Sequence, residues 1–228
     1  MFTLQTRYLS FFFGLISVLS FFNIIYSYYL NLYLNLDTYY FSLIISFLLS
    51  IIFYKIKVNE NKQTIFDKIL TVFFGYLLIP LVLSIPFYLS IYNLTFLNSY
   101  FESISGFTST GFTIFENIKH VDQSLILWRS STQWIGGLYF LFSIIFLIDI
   151  YDDNFKKSLT NFISFNSSEI FKQAIKIFLL YSSLTLIIFI ILNIFSIRSF
   201  NSLNLALTLI SSGGFLPVND LSNILKEN

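Results

Sequence analysis

Apolar stretches recur along the chain at roughly 8–33, 39–56, 67–93, 124–149 and 172–197, separated by short polar segments. A helix that crosses the hydrocarbon core needs about 20 predominantly apolar residues. Each stretch therefore predicts a transmembrane helix. The first is too long for the apolar core of a signal peptide, and no small-x-small cleavage site follows it, so it reads as a retained helix. A tyrosine cluster at 26–40 falls where the first two helices would meet the membrane interface. Pro80 and Pro86 predict a kink in the third stretch. The Phe-rich runs read as lipid-facing or packing surface.

Composition agrees with the pattern. The 228 residues are 56% hydrophobic and only 11% charged, with a mean hydropathy of +0.75. A soluble domain of this size cannot bury that much apolar surface, so the chain reads as an all-α polytopic membrane protein. A net charge of +1 offers nothing to attract nucleic acid. The absence of Cys excludes disulfides, thiolate chemistry and Cys-held metals, and one histidine, His120, leaves little room for a His-based site.

Lysines set an expected orientation. Lys55, Lys57, Lys62 and Lys68 surround the second linker; Lys156, Lys157, Lys172 and Lys176 surround the fourth; Arg7 precedes the first span. With five spans these regions share one side, which the positive-inside rule assigns to the cytoplasm together with the N-terminus. Lys119, Arg129 (near a helix start) and Arg198 fall on the other side. The expected location is the inner (plasma) membrane, multi-pass.

The segment SISGFTSTGFTIFENI (103–118) is too polar to span a bilayer and would lie outside. It follows NLTFLNSYFE (93–102), which reads as a short helix dipping into the membrane. Non-helical backbone at membrane depth is tolerated where it is buried in protein or lines a wet cavity. Gly106 and Gly111 permit positive φ, and hydroxyls at Ser105, Thr108, Ser109, Thr110 and Thr113 can satisfy backbone groups locally. Such a loop can turn successive carbonyls toward an axis, where they replace the water shell of a cation. An ordinary external turn explains the same residues as well.

The second half of the chain repeats the pattern. An offset of 103 positions lays Ser109 on Ser212, Gly111 on Gly214, Phe112 on Phe215 and Thr108 on Ser211, within LALTLISSGGFLPVND (205–220). The same offset lays the third span on the fifth. The repeating unit is span, short half-helix, Ser/Gly/Phe loop and span, the pattern of a pore domain in which each repeat gives one wall. It divides the chain into two leading helices (1–60), a first pore repeat (61–153) and a second (154–228).

FESISGFTSTGFTIFENI followed by LWRSSTQWIGGLYFLF (127–142) resembles the first pore repeat of the Trk/Ktr-type potassium uptake family. Trp128, Arg129, Gln133, Trp134, Gly136 and Gly137 are the most specific part. The resemblance implies potassium-channel-like helix–pore-loop–helix repeats after two leading transmembrane helices. It implies that Thr108, Ser109, Thr110, Gly111 and Phe112 form one filter strand, and Ser211, Ser212, Gly213, Gly214 and Phe215 a second. Potassium would be held by their backbone carbonyls, with Glu102, Arg129 and Gln133 as filter support and no organic cofactor. Where the family usually continues Gly-Gly with Met-Gly, this chain has Leu138-Tyr139. The sequence ends at Asn228, just past the second loop; about 1.5 of the four repeats are then expected, roughly the N-terminal half.

The expected function is a subunit or fragment of a potassium, or also sodium, uptake transporter. A homodimer or a complementary polypeptide would supply further walls, and a cytosolic nucleotide-binding regulatory subunit is the partner the family implies besides the lipid bilayer. A truncated remnant or non-conducting assembly subunit is the alternative. A lipid-modifying membrane enzyme is a third class, but no HExxH, nucleophile elbow or phosphate loop supports catalysis, and the expectation is no enzyme. Asp149, Asp152 and Asp153 read as solvated at the cytoplasmic edge. Glu102 either lends negative potential to an outer mouth or is a solvated interfacial carboxylate. Arg129 reads as a structural residue, with a snorkelling interface cation as the alternative.

Overall fold

The computed structural model describes residues 6–56, 65–147, 170–219 and 224, with backbone alone for 170–174. The expectations on Lys57, Lys62, Asp149, Asp152, Asp153, Lys156 and Lys157 lie outside these residues, as does the side chain of Lys172.

Helices α1 (Thr6–Tyr29) and α2 (Leu36–Lys55) pack along their length. Hydroxyls stitch them antiparallel: Ser10 donates to Ser50 O at 2.8 Å, Ser50 to Ser10 O at 2.9 Å, and Ser20 to the Ser42 hydroxyl at 3.0 Å. In an apolar medium water cannot drive helices together, so small polar residues that allow close approach and cross-helix bonds mark the contact. The turn between them carries Asn31 at a positive φ of 56°.

Helix α3 (Ile65–Leu83) ends at Ser84, and α4 (Ile85–Tyr88) resumes the same line. Pro86 at the start of α4 cannot donate a backbone hydrogen bond, so the ladder is interrupted there. Trp128 Nε1 donates to Leu83 O at 3.0 Å at this break. The short helix α5 (Phe96–Phe107) follows, capped by Thr95, whose hydroxyl accepts from Asn98 N. After an extended segment and a 3₁₀ turn (Ile118–His120) comes α6 (Gln123–Phe146). Helix α7 (Ile170–Ile194) and the short helix α8 (Ser199–Ile210) complete the described elements. Helix α7 is unbroken because Ser183 and Phe189 stand where α3 and α4 carry Pro80 and Pro86.

Four described helices are long and apolar enough to cross a membrane: Thr6–Tyr29, Leu36–Lys55, Ile65–Tyr88 and Ile175–Ile194. Helix α6 matches the fourth predicted span in place but is not among them, although it has the 24 residues of α1. Its sequence is interrupted by Arg129, Ser130, Ser131, Thr132 and Gln133, all buried. It packs on α1, α3, α5 and α8. A helix enclosed by protein can carry polar groups at membrane depth that a lipid-facing helix cannot.

The core gathers around Tyr139 of α6, which is fully buried and donates to Val72 O at 2.9 Å. Rings of Tyr8, Phe12, Tyr76 and Phe107 surround it with centroids 4.8–5.6 Å away or from one another, the spacing of favourable aromatic pairs. Tyr139 occupies the room left by Gly75, where an added Cβ would lie 1.8 Å from its hydroxyl.

Candidate functional site

The 103-residue offset is present in the backbone. Both α5 and α8 have 12 residues, and their ends are related by the offset. Asn93 and Ser196, offset partners ahead of the two helices, have φ of 49° and 61°. Ser109 and Ser212, offset partners after them, have φ of 57° and 54°. Ser109 N donates to Gly106 O and Ser212 N to Leu209 O, at 2.9 and 3.0 Å. Thr110 N donates to Ser105 O and Gly213 N to Thr208 O, at 3.0 and 2.7 Å. Two serines in left-handed conformation at equivalent places mean that both loops leave their helices by the same turn.

Helix α6 lies between the two turns. A Cβ on Gly136 would sit 1.9 Å from Phe107 O at the end of α5, and one on Gly137 would sit 2.7 Å from Ser211 Cβ at the end of α8. The Gly136-Gly137 pair is thus the seat on which both short helices end. One turn earlier, Gln133 accepts from Phe215 N at 3.3 Å and lies against Gly213.

The loops then meet. Gly111 has φ of 78°, and a Cβ on it would lie 2.5 Å from Gly214 Cα. Backbone touches backbone at this point, which requires glycine on both sides. Gly106, by contrast, lies within α5 and needs no positive φ; its missing Cβ makes room for the Thr132 hydroxyl. The predicted loop 103–118 is accordingly helical up to Phe107, with Thr108 as the cap.

A buried ion pair shapes the first loop. Arg129 Nε donates to Glu102 Oε1 at 2.8 Å, with the side chains 1% and 0% exposed. Glu102 also accepts from the Thr113 hydroxyl at 3.0 and 3.1 Å and from Ile114 N at 2.9 Å. Arg129 Nη2 donates to Thr113 Oγ1 at 3.0 Å. Both solvated readings fail here. Glu102 sits within α5, not at its end, and its charge is matched by Arg129 inside the protein, so it adds little potential to an outer mouth. Arg129 lies two turns into α6 and does not reach an interface. The guanidinium also lies over the Phe215 ring, 4.2 Å from its centroid.

Two asparagines tie the outer ends of the loops. Asn219 Oδ1 accepts from Ile118 N at 2.8 Å, and Asn219 Nδ2 donates to Asn117 Oδ1 at 3.0 Å. Between them a cleft of about 120 Å³ is lined by Gly111, Thr113, Arg129, Gly214, Phe215 and Leu216 among others. Thr113, Asn117 and Asn219 were not legible as partners: they are joined across 101 or 102 residues or through a buried acid, and nothing local marks them.

Chemically the site is rich in acceptors. The C-terminal ends of α5 and α8 carry the negative ends of their helix dipoles to α6. The carbonyl oxygens of 108–111 and 211–214 accept no hydrogen bond from another described residue. Among the described residues no group of three or more His, Cys, Asp or Glu could hold a metal ion.

No family model matches the chain. It is 28% identical over 167 residues to a cation transporter of Methanocaldococcus jannaschii, covering 66% of this chain and 34% of that protein. It is 42% identical over 60 residues to the Trk system potassium uptake protein TrkI of Halomonas elongata, covering 26% of this chain and 11% of that protein. TrkG of Escherichia coli, named likewise, is 39% identical over 46 residues. The chain thus spans about a third or less of the curated relatives it matches. Among solved structures, the potassium transporter TrkH from Vibrio parahaemolyticus superimposes with a TM-score of 0.73 over 93% of this chain and 43% of that one, at 17% identity. Four helices fit to cross a membrane, two matching short-helix turns and the fold shared with TrkH describe a multi-pass helical membrane protein that is similar in sequence to a cation transporter and to Trk system potassium uptake proteins, over less than half the length of each.

Proposed function

We propose that the chain supplies two neighbouring walls of a pathway for dehydrated monovalent cations, potassium first among them. The observation that carries this reading is the pairing of two equivalent loops, their carbonyls not bonded by any other described residue, at the converging ends of α5 and α8. Carbonyls of Thr108, Ser109, Thr110 and Gly111 would face the ion from one wall, and those of Ser211, Ser212, Gly213 and Gly214 from the other. Phe112 and Phe215 close the two strands, and Glu102, Arg129 and Gln133 hold them. Flux would follow the membrane potential, worth about 2.3 kcal/mol per charge per 100 mV.

The same reading divides the chain into 1–60, 61–153 and 154–228 and places it in the plasma membrane with the N-terminus in the cytoplasm. Further walls come from a second polypeptide or a second copy, and a cytosolic nucleotide-binding subunit is a regulatory partner. The names of the relatives support transport rather than catalysis.

Radioactive rubidium uptake tests this in cells lacking their own potassium uptake, with the chain expressed together with any polypeptide encoded beside it. Gly111→Ser forces a side chain into a left-handed conformation and against Gly214, and uptake should fall about tenfold or more at equal membrane abundance. Uptake that is absent in the wild type, or unchanged by the substitution, would assign the chain to packing and not to conduction.

A further inference from the structure

The two loops are built alike but are not held alike. Glu102 has Leu205 as its offset partner, and Thr113 has Leu216. The acid and hydroxyl that fasten the first loop therefore have no equivalent at the second. What the second loop presents instead is Phe215, 2% exposed, with its ring beneath the Arg129 guanidinium at 4.2 Å. Arg129 spends Nε on Glu102 and Nη2 on Thr113, while Nη1 is buried with no hydrogen-bond partner among the described residues. A desolvated guanidinium stacked on an aromatic face gains attraction there, and an aliphatic side chain offers no such face.

We propose that Phe215 is a positioning residue that clamps the second loop to the ion pair of the first, so that the Arg129 guanidinium couples the spacing of the two strands. The clamp holds Gly214 against Gly111, where the strands touch. Gln133 closes it from below by accepting from Phe215 N, which fixes the backbone while the ring fixes the distance. The consequence is specific: loosening the clamp changes which cation fits before it abolishes passage. This rests on the cation-pathway reading for its transport consequence, but the mechanical coupling is independent of it.

Two measurements test it. The first is a thermal-stability cycle in detergent with Phe215→Leu, Thr113→Val and both together, none of which removes a charge. The clamp predicts that the double variant loses clearly less than the summed single losses, because either change frees the same guanidinium. Phe215→Tyr, which keeps the ring face, should restore that coupling if it folds. Additive losses overturn the proposal. The second is rubidium uptake with sodium as competitor: Phe215→Leu should lower the discrimination against sodium severalfold, and Phe215→Tyr should not. Unchanged discrimination in a conducting Phe215→Leu protein also overturns it. A wild type without uptake refutes the pathway reading, and the stability cycle then decides the clamp by itself.

Discussion

Removing the charge of Glu102 is the sharpest perturbation of the site. Glu102→Gln preserves shape but leaves the Arg129 cation, 1% exposed, without its counter-ion. Breaking one partner of a buried pair costs about 3–5 kcal/mol, because the remaining charge cannot be solvated. The amide side of Gln also faces Ile114 N, a donor that now lacks an acceptor at 2.9 Å, adding about 1–3 kcal/mol if it stays dry. The ion-pair loss alone corresponds to a fall in Tm of about 6–20 °C for a chain of this length. Removing both charges, as Glu102→Met with Arg129→Met, should cost less than the two single losses combined, since apolar replacement of a buried pair is often near neutral. The assay is the temperature at which purified protein in detergent loses its monodisperse peak. A Tm within about 2 °C of wild type for Glu102→Gln, or additive losses in the pair, would refute the buried-pair argument.

Three further outcomes follow from the packing. Gly136→Ala should destabilise by at least about 1–3 kcal/mol, because its Cβ would meet Phe107 O, a backbone atom, at 1.9 Å. Gly14→Ala meets only the Ser50 hydroxyl at 3.3 Å and gains helix propensity of about 1 kcal/mol, so its Tm should hold or rise. Trp128→Phe leaves Leu83 O at the α3–α4 break without its indole donor and should cost about 1–3 kcal/mol in the same assay.

Much of the architecture was legible because two different periodicities agreed. Apolar runs located α1, α2, α3 and α7, and the offset of Ser109 onto Ser212 located turns whose φ angles differ by a few degrees. Helix α6 was placed by its apolar run, but its polar face has meaning only through the neighbours that enclose it. Arg129 is structural, as its sequence reading had it, but neither its partner nor the burial of Glu102 could be read, for the same reason. Hydropathy treats an acid near a loop and a base near a helix start as surface groups, whereas these two meet across 27 residues inside the protein. The clamp on Phe215 was likewise invisible, since a phenylalanine in this chain is usually a packing or lipid-facing residue. The proline break came through in part: Pro80 lies inside α3, while the interruption falls at Ser84, just before Pro86.

The central claim is that 108–111 and 211–214 face one cation path. The chain has no cysteine, so Thr110→Cys and Ser212→Cys each introduce a single thiol while leaving the backbone carbonyls in place. The decisive measurement is the rate at which an impermeant thiosulfonate reagent modifies each thiol in membranes as rubidium or potassium is raised at constant ionic strength. The account predicts that these cations slow modification at both positions over the same concentration range, with an organic cation too large to enter between the loops having no effect. Modification at both positions that is indifferent to every cation would contradict it.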